Sequence, residues 1–273
     1  MNIFYPLVLA AFGLCVLWAV QSVMLHFIGE PLAWPLRFTT PRPLMRWSSR
    51  VMIHTLWVFI LVGTPLALGI PLLDALHQAF PTPVPWRDIA VAFSIMFFPT
   101  CLVYGLYIMV GWVRIQPQHD QATRRAKLFR RFLPGPLPLS VFEEAVFRGI
   151  LLEQLLRSLP TSEAYSALAI VLSSAAFASV HFVKPAKGKP VRQAAYGYFI
   201  VGCLFGLAYV VGGRSLWLPV VIHATAVFVI EVARLYVVFQ APRWLVGFAE
   251  SPQSGLVGSV LVLGVGIALV TLI

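Results

Sequence analysis

Apolar residues run along this chain in long blocks, separated by short polar or basic stretches. A membrane-crossing helix needs about 20 consecutive apolar residues. Eight blocks meet or approach that length: about residues 3–27, 51–73, 89–113, 139–158, 164–183, 194–212, 215–239 and 254–273. The pattern predicts an all-α fold, a polytopic membrane helical bundle of about eight transmembrane helices, with residues 1–273 forming a single integral membrane domain. The first block lacks a basic n-region and a clear cleavage site, and it is longer than a signal-peptide core, so it reads as a retained first helix. "QHDQATRRAKLFRRF" (118–132) reads either as an amphipathic surface helix with Leu128, Phe129 and Phe132 in the interface, or as a solvated basic loop. "PGPLP" (134–138) breaks the chain before the fourth block; Ser140 and Glu143 follow at the spacing of a capping box.

Composition supports this class. Of 273 residues, 59% are hydrophobic and only 11% charged, where soluble domains carry about 25%; mean hydropathy is +0.86. The net charge of +10 would suggest nucleic acid in a soluble protein, but here the bases lie between apolar blocks, so no nucleic-acid partner is expected and the lipid bilayer is. Arg37, Arg42, Arg46 and Arg50 follow the first block, Arg114, Arg124, Arg125, Lys127, Arg130 and Arg131 the third, and Lys184, Lys187, Lys189 and Arg192 the fifth. The intervening loops hold only Arg87, Arg157 and Arg214, apart from Arg243 in the last polar segment. This alternation, fourteen against three, puts the basic loops in the cytoplasm and both termini outside. Cys15, Cys101 and Cys203 are scattered within apolar blocks, with neither disulfide-framework nor metal-ligand spacing.

Ionisable groups inside a span cost several kcal/mol, roughly 2.5–3.5 each at the centre, which makes them functional candidates. They are Glu143, Glu144, Arg148 and Glu153 in the fourth block, His181 in the fifth, and His223, Glu231 and Arg234 in the seventh. Glu144 and Arg148 share a helix face at the ion-pair spacing. Glu143 points about 100° away with no local partner, as suits a general base or acid. A plain helix-end salt bridge is the alternative for Glu144 and Arg148. Pro219 is expected to bend the seventh helix near His223. His26, His54, His77 and His119 read as structural or interfacial, and "GCLFG" (202–206) and "SSAAFAS" (173–179) as packing signals. Two carboxylates, an arginine and two histidines on three helices are a set able to activate water.

These residues resemble the signatures of the CPBP intramembrane proteases, a family that includes the type II CAAX prenyl endopeptidases and bacteriocin-processing and self-immunity proteins. Its motifs EExxxR, FxxxH and HxxxN occur in order as Glu143-Glu144 to Arg148, Phe177 to His181, and His223 to Val227. The resemblance spans about residues 138–235, expected as the catalytic core. It implies an intramembrane protease in a multi-pass cell membrane protein, with its active site opening toward the cytoplasm and a membrane-associated protein or peptide as substrate. Glu143 would be the base for the attacking water, Glu144 and Arg148 would shape the site, and His181 and His223 would assist water activation and oxyanion stabilisation. Relatives have been argued as glutamic and as metal-dependent enzymes. With two histidines, zinc would need a carboxylate as third ligand; no metal is favoured, and a divalent metal such as zinc stays open. One departure is Val227 where many relatives have Asn, which removes a hydrogen-bond donor: either another donor such as Thr225 substitutes, or the enzyme is slower, or activity is lost. Glu231 reads as an ion-pair partner of Arg234. Val227 also keeps a non-catalytic immunity or scaffold role open; a proton-coupled transporter finds no inverted repeat in support.

Overall fold

The computed structural model describes residues 4–27, 29, 55, 58–132, 136–183, 191–248 and 251–273. His54, the basic residues Arg37, Arg42, Arg46 and Arg50, and Lys184, Lys187 and Lys189 lie outside the described residues. Every apolar block contains helix. The first is α1 (Phe4–Phe27). The second, expected as one straight span, is instead α2 (Val58–Ala67) bent by 109° into α3 (Leu72–Ala79). Gly69 supplies the left-handed turn at φ 70°, and Pro71 precedes the new helix with a φ of −56° that the helix accepts.

The third block forms α4 (Trp86–Met109), which stops short of 113. The seventh forms α10 (Trp217–Ala233), which stops short of 239. The residues beyond these ends are strands, β1 (Val113–Ile115) and β2 (Val237–Phe239), paired antiparallel with Val113 opposite Phe239. This small sheet is the departure from the all-α expectation. β-Branched and aromatic residues are apolar enough to read as span, yet they favour an extended backbone once a partner strand is available.

Between them, α5 (Gln121–Phe132) resolves the 118–132 choice in favour of a helix. Asp120 starts it by accepting the Thr123 N–H at 2.9 Å, a side-chain cap for an otherwise orphan donor. Phe129 is exposed on its surface.

The fourth block begins as α6 (Pro136–Glu144), widens into a π-helical segment over Ala145–Leu152, and ends as α7 (Glu153–Ser158). Because α6 starts at Pro136, Ser140 lies inside it and is buried, and its Oγ has no hydrogen bond. The capping box therefore does not form. A similar shift applies to Pro219: α10 begins at Trp217, so the proline sits in the first turn, where its missing N–H costs no helical bond and no bend is required. The remaining elements are α8 (Glu163–Val183), α9 (Val191–Val211), the short α11 (Arg243–Val246) and α12 (Leu256–Leu272).

The helices pack on a core that includes Ala92, Phe147, Phe177, Phe205, Ile222 and Val265. α8 and α9 approach closely through the small residues read as packing signals: a Cβ on Gly206 would stand 2.9 Å from Ile170 Cγ2. Outward faces remain apolar, with Phe98, Leu102 and Ile267 exposed, as lipid contact demands. α4 and the Glu163–His181 part of α8 are long and apolar enough to cross a membrane, and the bent pair α2–α3 makes a third if it counts as one span. Three further apolar helices, the Tyr196–Val211 part of α9, α10 and α12, are shorter.

Two sets of contacts order the ends of the bundle. Ala79 O accepts the Leu216 N–H at 2.8 Å, and Pro81 O accepts the Trp217 indole N–H at 3.1 Å. These bonds join the loops after α3 and α9 at one end. At the other, the β1–β2 pairing joins the loops after α4 and α10.

Candidate active site

The π-helical segment begins directly after Glu144 and carries Arg148. Wide turns of this kind are rare and concentrate at functional sites. Its closing bond runs from the Glu153 N–H to Arg148 O, and Ser173 on α8 donates to Phe147 O at 2.8 Å. The "SSAAFAS" face thus supplies a hydrogen bond as well as a smooth surface.

Glu144 and Arg148 are both fully buried, at 0% exposure. Arg148 Nη1 straddles the carboxylate, 3.1 Å from Oε2 and 3.3 Å from Oε1. Nη2 donates to Gly202 O at 2.8 Å, so "GCLFG" also contributes a polar contact to the site. The guanidinium lies between aromatic rings, 4.9 Å from the Phe177 centroid and 5.2 Å from that of Phe205. A planar, weakly hydrated cation suits such a setting better than an ammonium would. These contacts place the pair deep among α8, α9 and α10, away from any helix end.

Glu144 has a second partner, His223 Nδ1, at 2.6 Å. An ionised carboxylate only accepts, so Nδ1 carries the proton, and this bond sets the ring's tautomer and orientation. Phe205 stacks on the same ring at 4.5 Å. Nε2 is left turned toward Glu143, 3.7 Å from its Oε2. That is too long for a direct hydrogen bond and short enough for both groups to address one bound molecule. Glu143 and Glu144, from adjacent positions, thus approach the two nitrogens of one imidazole ring.

His181 lies near the end of α8, where its Nδ1 donates to Phe177 O at 2.9 Å. Its ring stacks on Tyr198 with centroids 4.1 Å apart. In both histidines Nδ1 makes the hydrogen bond, and in His223 it leaves Nε2 facing Glu143.

Glu143, His181 and His223 line one cavity of about 230 Å³, together with Tyr198, Val227 and Ser251, among others. All three predicted residues that would touch substrate therefore meet in one space, with Glu144 and Arg148 behind them. Thr225 is buried and is not among the residues that line this cavity. Sequence reasoning missed Tyr198, Ser251 and Gln253. The signal for Tyr198 was its spacing from Gly202 and Phe205, four and seven residues on, which puts all three on one face of α9. Ser251 and Gln253 lie beyond the motifs and enter through the chain's return after α11. Glu231 and Arg234 form the expected ion pair and also line the cavity. Arg234 Nη2 donates further to Ser251 Oγ at 2.8 Å.

Among the described residues no three His, Cys, Asp or Glu side chains come together in a way that would hold a metal ion. Glu144, the carboxylate bonded to His223, is committed to Arg148 as well. The donor set therefore does not fit a zinc centre.

No curated protein and no solved structure matches this chain. Residues 127–229, a stretch containing all three motifs, match the family model described as type II CAAX prenyl endopeptidase Rce1-like, in agreement with the family that the motifs resemble.

Proposed function

We propose that this protein is a multi-pass intramembrane endopeptidase that hydrolyses a peptide bond with water activated by Glu143. The observation that carries this reading is the convergence of Glu143, His181 and His223 on one cavity, backed by the buried Glu144–Arg148 pair. Glu143 accepts a proton from a water molecule as its oxygen attacks the carbonyl carbon. Nε2 of His223 and of His181, whose protons sit on Nδ1, accepts from the same water and orients it, and the Tyr198 phenol donates to the resulting oxyanion. Collapse breaks the C–N bond, and Glu143 returns the proton to the leaving amine. Glu144 is a positioning residue that holds the His223 ring, and Arg148 keeps the Glu144 carboxylate aimed.

About eight spans, with basic loops in the cytoplasm, give an orientation in which Glu143 and His181 lie toward the cytoplasmic side. The substrate is then a membrane-associated protein or peptide reaching the cavity from that face. A second reading, a non-catalytic immunity or scaffold protein of the same family, draws on one observation: Val227 lines the cavity and donates nothing.

The test is mass spectrometry of protein termini and released peptides from native-host membranes carrying wild type or Glu143→Gln at matched levels. Loss of a general base typically lowers rate by about 10²–10⁴-fold, so new termini are expected with the wild type alone. Identical termini from the two would refute the protease and favour the scaffold reading.

A further inference from the structure

A larger cavity lies on the opposite side of the catalytic element. It measures about 670 Å³ and runs between the bent pair α2–α3 and the α6–α7 unit, within the range of small-molecule sites. Along the latter its lining extends from Val141 to Arg157, about 24 Å at 1.5 Å per residue, against about 15 Å for half a bilayer's hydrocarbon. Most of the wall is apolar, including Leu61, Leu68, Leu76 and Ile150.

One end is polar. Glu153, 8% exposed, accepts from Arg157 Nε at 2.6 Å and from the Tyr209 hydroxyl at 3.0 Å. Arg214 Nη1 stands 3.7 Å from the same carboxylate. Two guanidiniums thus share one carboxylate, which leaves an excess positive charge. Their side chains are 41% and 48% exposed, and no Nη donor of either has a hydrogen-bond partner among the described residues. Arg214 is held at a φ of 63°, the sole non-glycine in the left-handed region among the described residues, a strained placement of the sort that persists where a site needs it. Independently, Thr64 lines the same cavity, is 1% exposed, and its Oγ1 has no hydrogen bond. A buried hydroxyl without a partner costs roughly a lost hydrogen bond unless a ligand completes it. None of these residues belongs to the proposed catalytic set.

We propose that this cavity is a binding site for an anionic phospholipid. One acyl chain lies along the apolar groove, the phosphate meets Arg157 and Arg214, and an ester or phosphate oxygen accepts from Thr64. Ordinary lipid contact would require neither the excess charge nor the orphan hydroxyl. Because Ala145, Gly149 and Ile150 line this cavity and belong to the π-helical segment that carries Arg148, the lipid would brace the back of the catalytic element.

The test is native mass spectrometry of the delipidated full chain titrated with phosphatidylglycerol or phosphatidylcholine of identical acyl chains, and with glycerol 3-phosphate alone. One phosphatidylglycerol is expected to stay bound under activation that strips phosphatidylcholine. Arg157→Gln, Arg214→Gln and Thr64→Val should each lower its affinity, the arginine changes by about tenfold. Thr64→Val leaves every ion pair intact, so it reports on the site even if an arginine variant fails to fold. Equal retention of the two lipids, unchanged affinity in Thr64→Val, or equally tight binding of glycerol 3-phosphate would overturn the proposal; the last result would make this a site for soluble anions.

Discussion

Replacing Arg148 with Met removes the guanidinium that is paired with Glu144 through two short contacts, 3.1 and 3.3 Å. Met fills much of the space between Phe177 and Phe205, so packing loss is small and the electrostatic loss dominates. Both residues are fully buried, and the variant strands a carboxylate whose remaining polar partner is His223. Breaking one side of a buried ion pair costs about 3–5 kcal/mol. For a chain of this size that corresponds to a fall in Tm of about 6–20 °C. The companion variant Glu144→Gln/Arg148→Met removes both charges and should recover most of that loss, because an uncharged amide no longer needs a cation. Thermal unfolding in detergent, followed by tryptophan fluorescence, measures both. Activity should stay low in the double variant, since the amide is a weaker acceptor for His223 Nδ1 and the ring loses its hold. If Arg148→Met melts within about 2 °C of wild type, or the double variant is no more stable than the single, the pair is not the uncompensated-charge device described here.

Three further outcomes follow from the geometry. Val227→Asn restores a donor on the cavity wall and should raise cleavage by up to about a hundredfold, read as product per unit time on a substrate identified from the termini; no change would mean another donor already serves. Gly197→Ala brings a Cβ to 2.6 Å from Ser254 Cα, a backbone clash that should cost about 1–3 kcal/mol and displace the 251–253 return, checked by a lowered Tm. Asp120 has its pKa lowered by the side-chain and backbone hydrogen bonds of Thr123. Its cap on α5 is therefore fully present above the ordinary aspartate value of about 3.9 and lost as pH falls through the lower folded-state value; amide exchange at Thr123 should accelerate across that window and be insensitive to it in Asp120→Ala.

Much of the site was legible because its parts obey helical spacing. Glu144 and Arg148 sit four residues apart and pair, and the three motif segments fall on α6 with its π extension, α8 and α10. These are local consequences of a fixed period. The same locality explains the misses. A run such as "YVVF" is apolar whether it continues a helix or pairs as a strand, and it was β1, far along the chain, that decided for β2. Pro219 and Ser140 changed meaning because helix starts moved by a few residues.

The apolar blocks, the alternation of basic loops and the order of the motifs were determined by sequence alone, since each depends on neighbours along the chain. The tertiary structure decided the rest: that His223 takes Glu144 as its partner across 79 positions, that Gly202 O receives Arg148, that Tyr198, Ser251 and Gln253 join the cavity, and that α2 and α3 fold back to enclose a second one. Such pairings are chosen by how helices pack against one another. Packing depends on the shapes of faces brought together from distant segments, which no periodicity within one segment encodes.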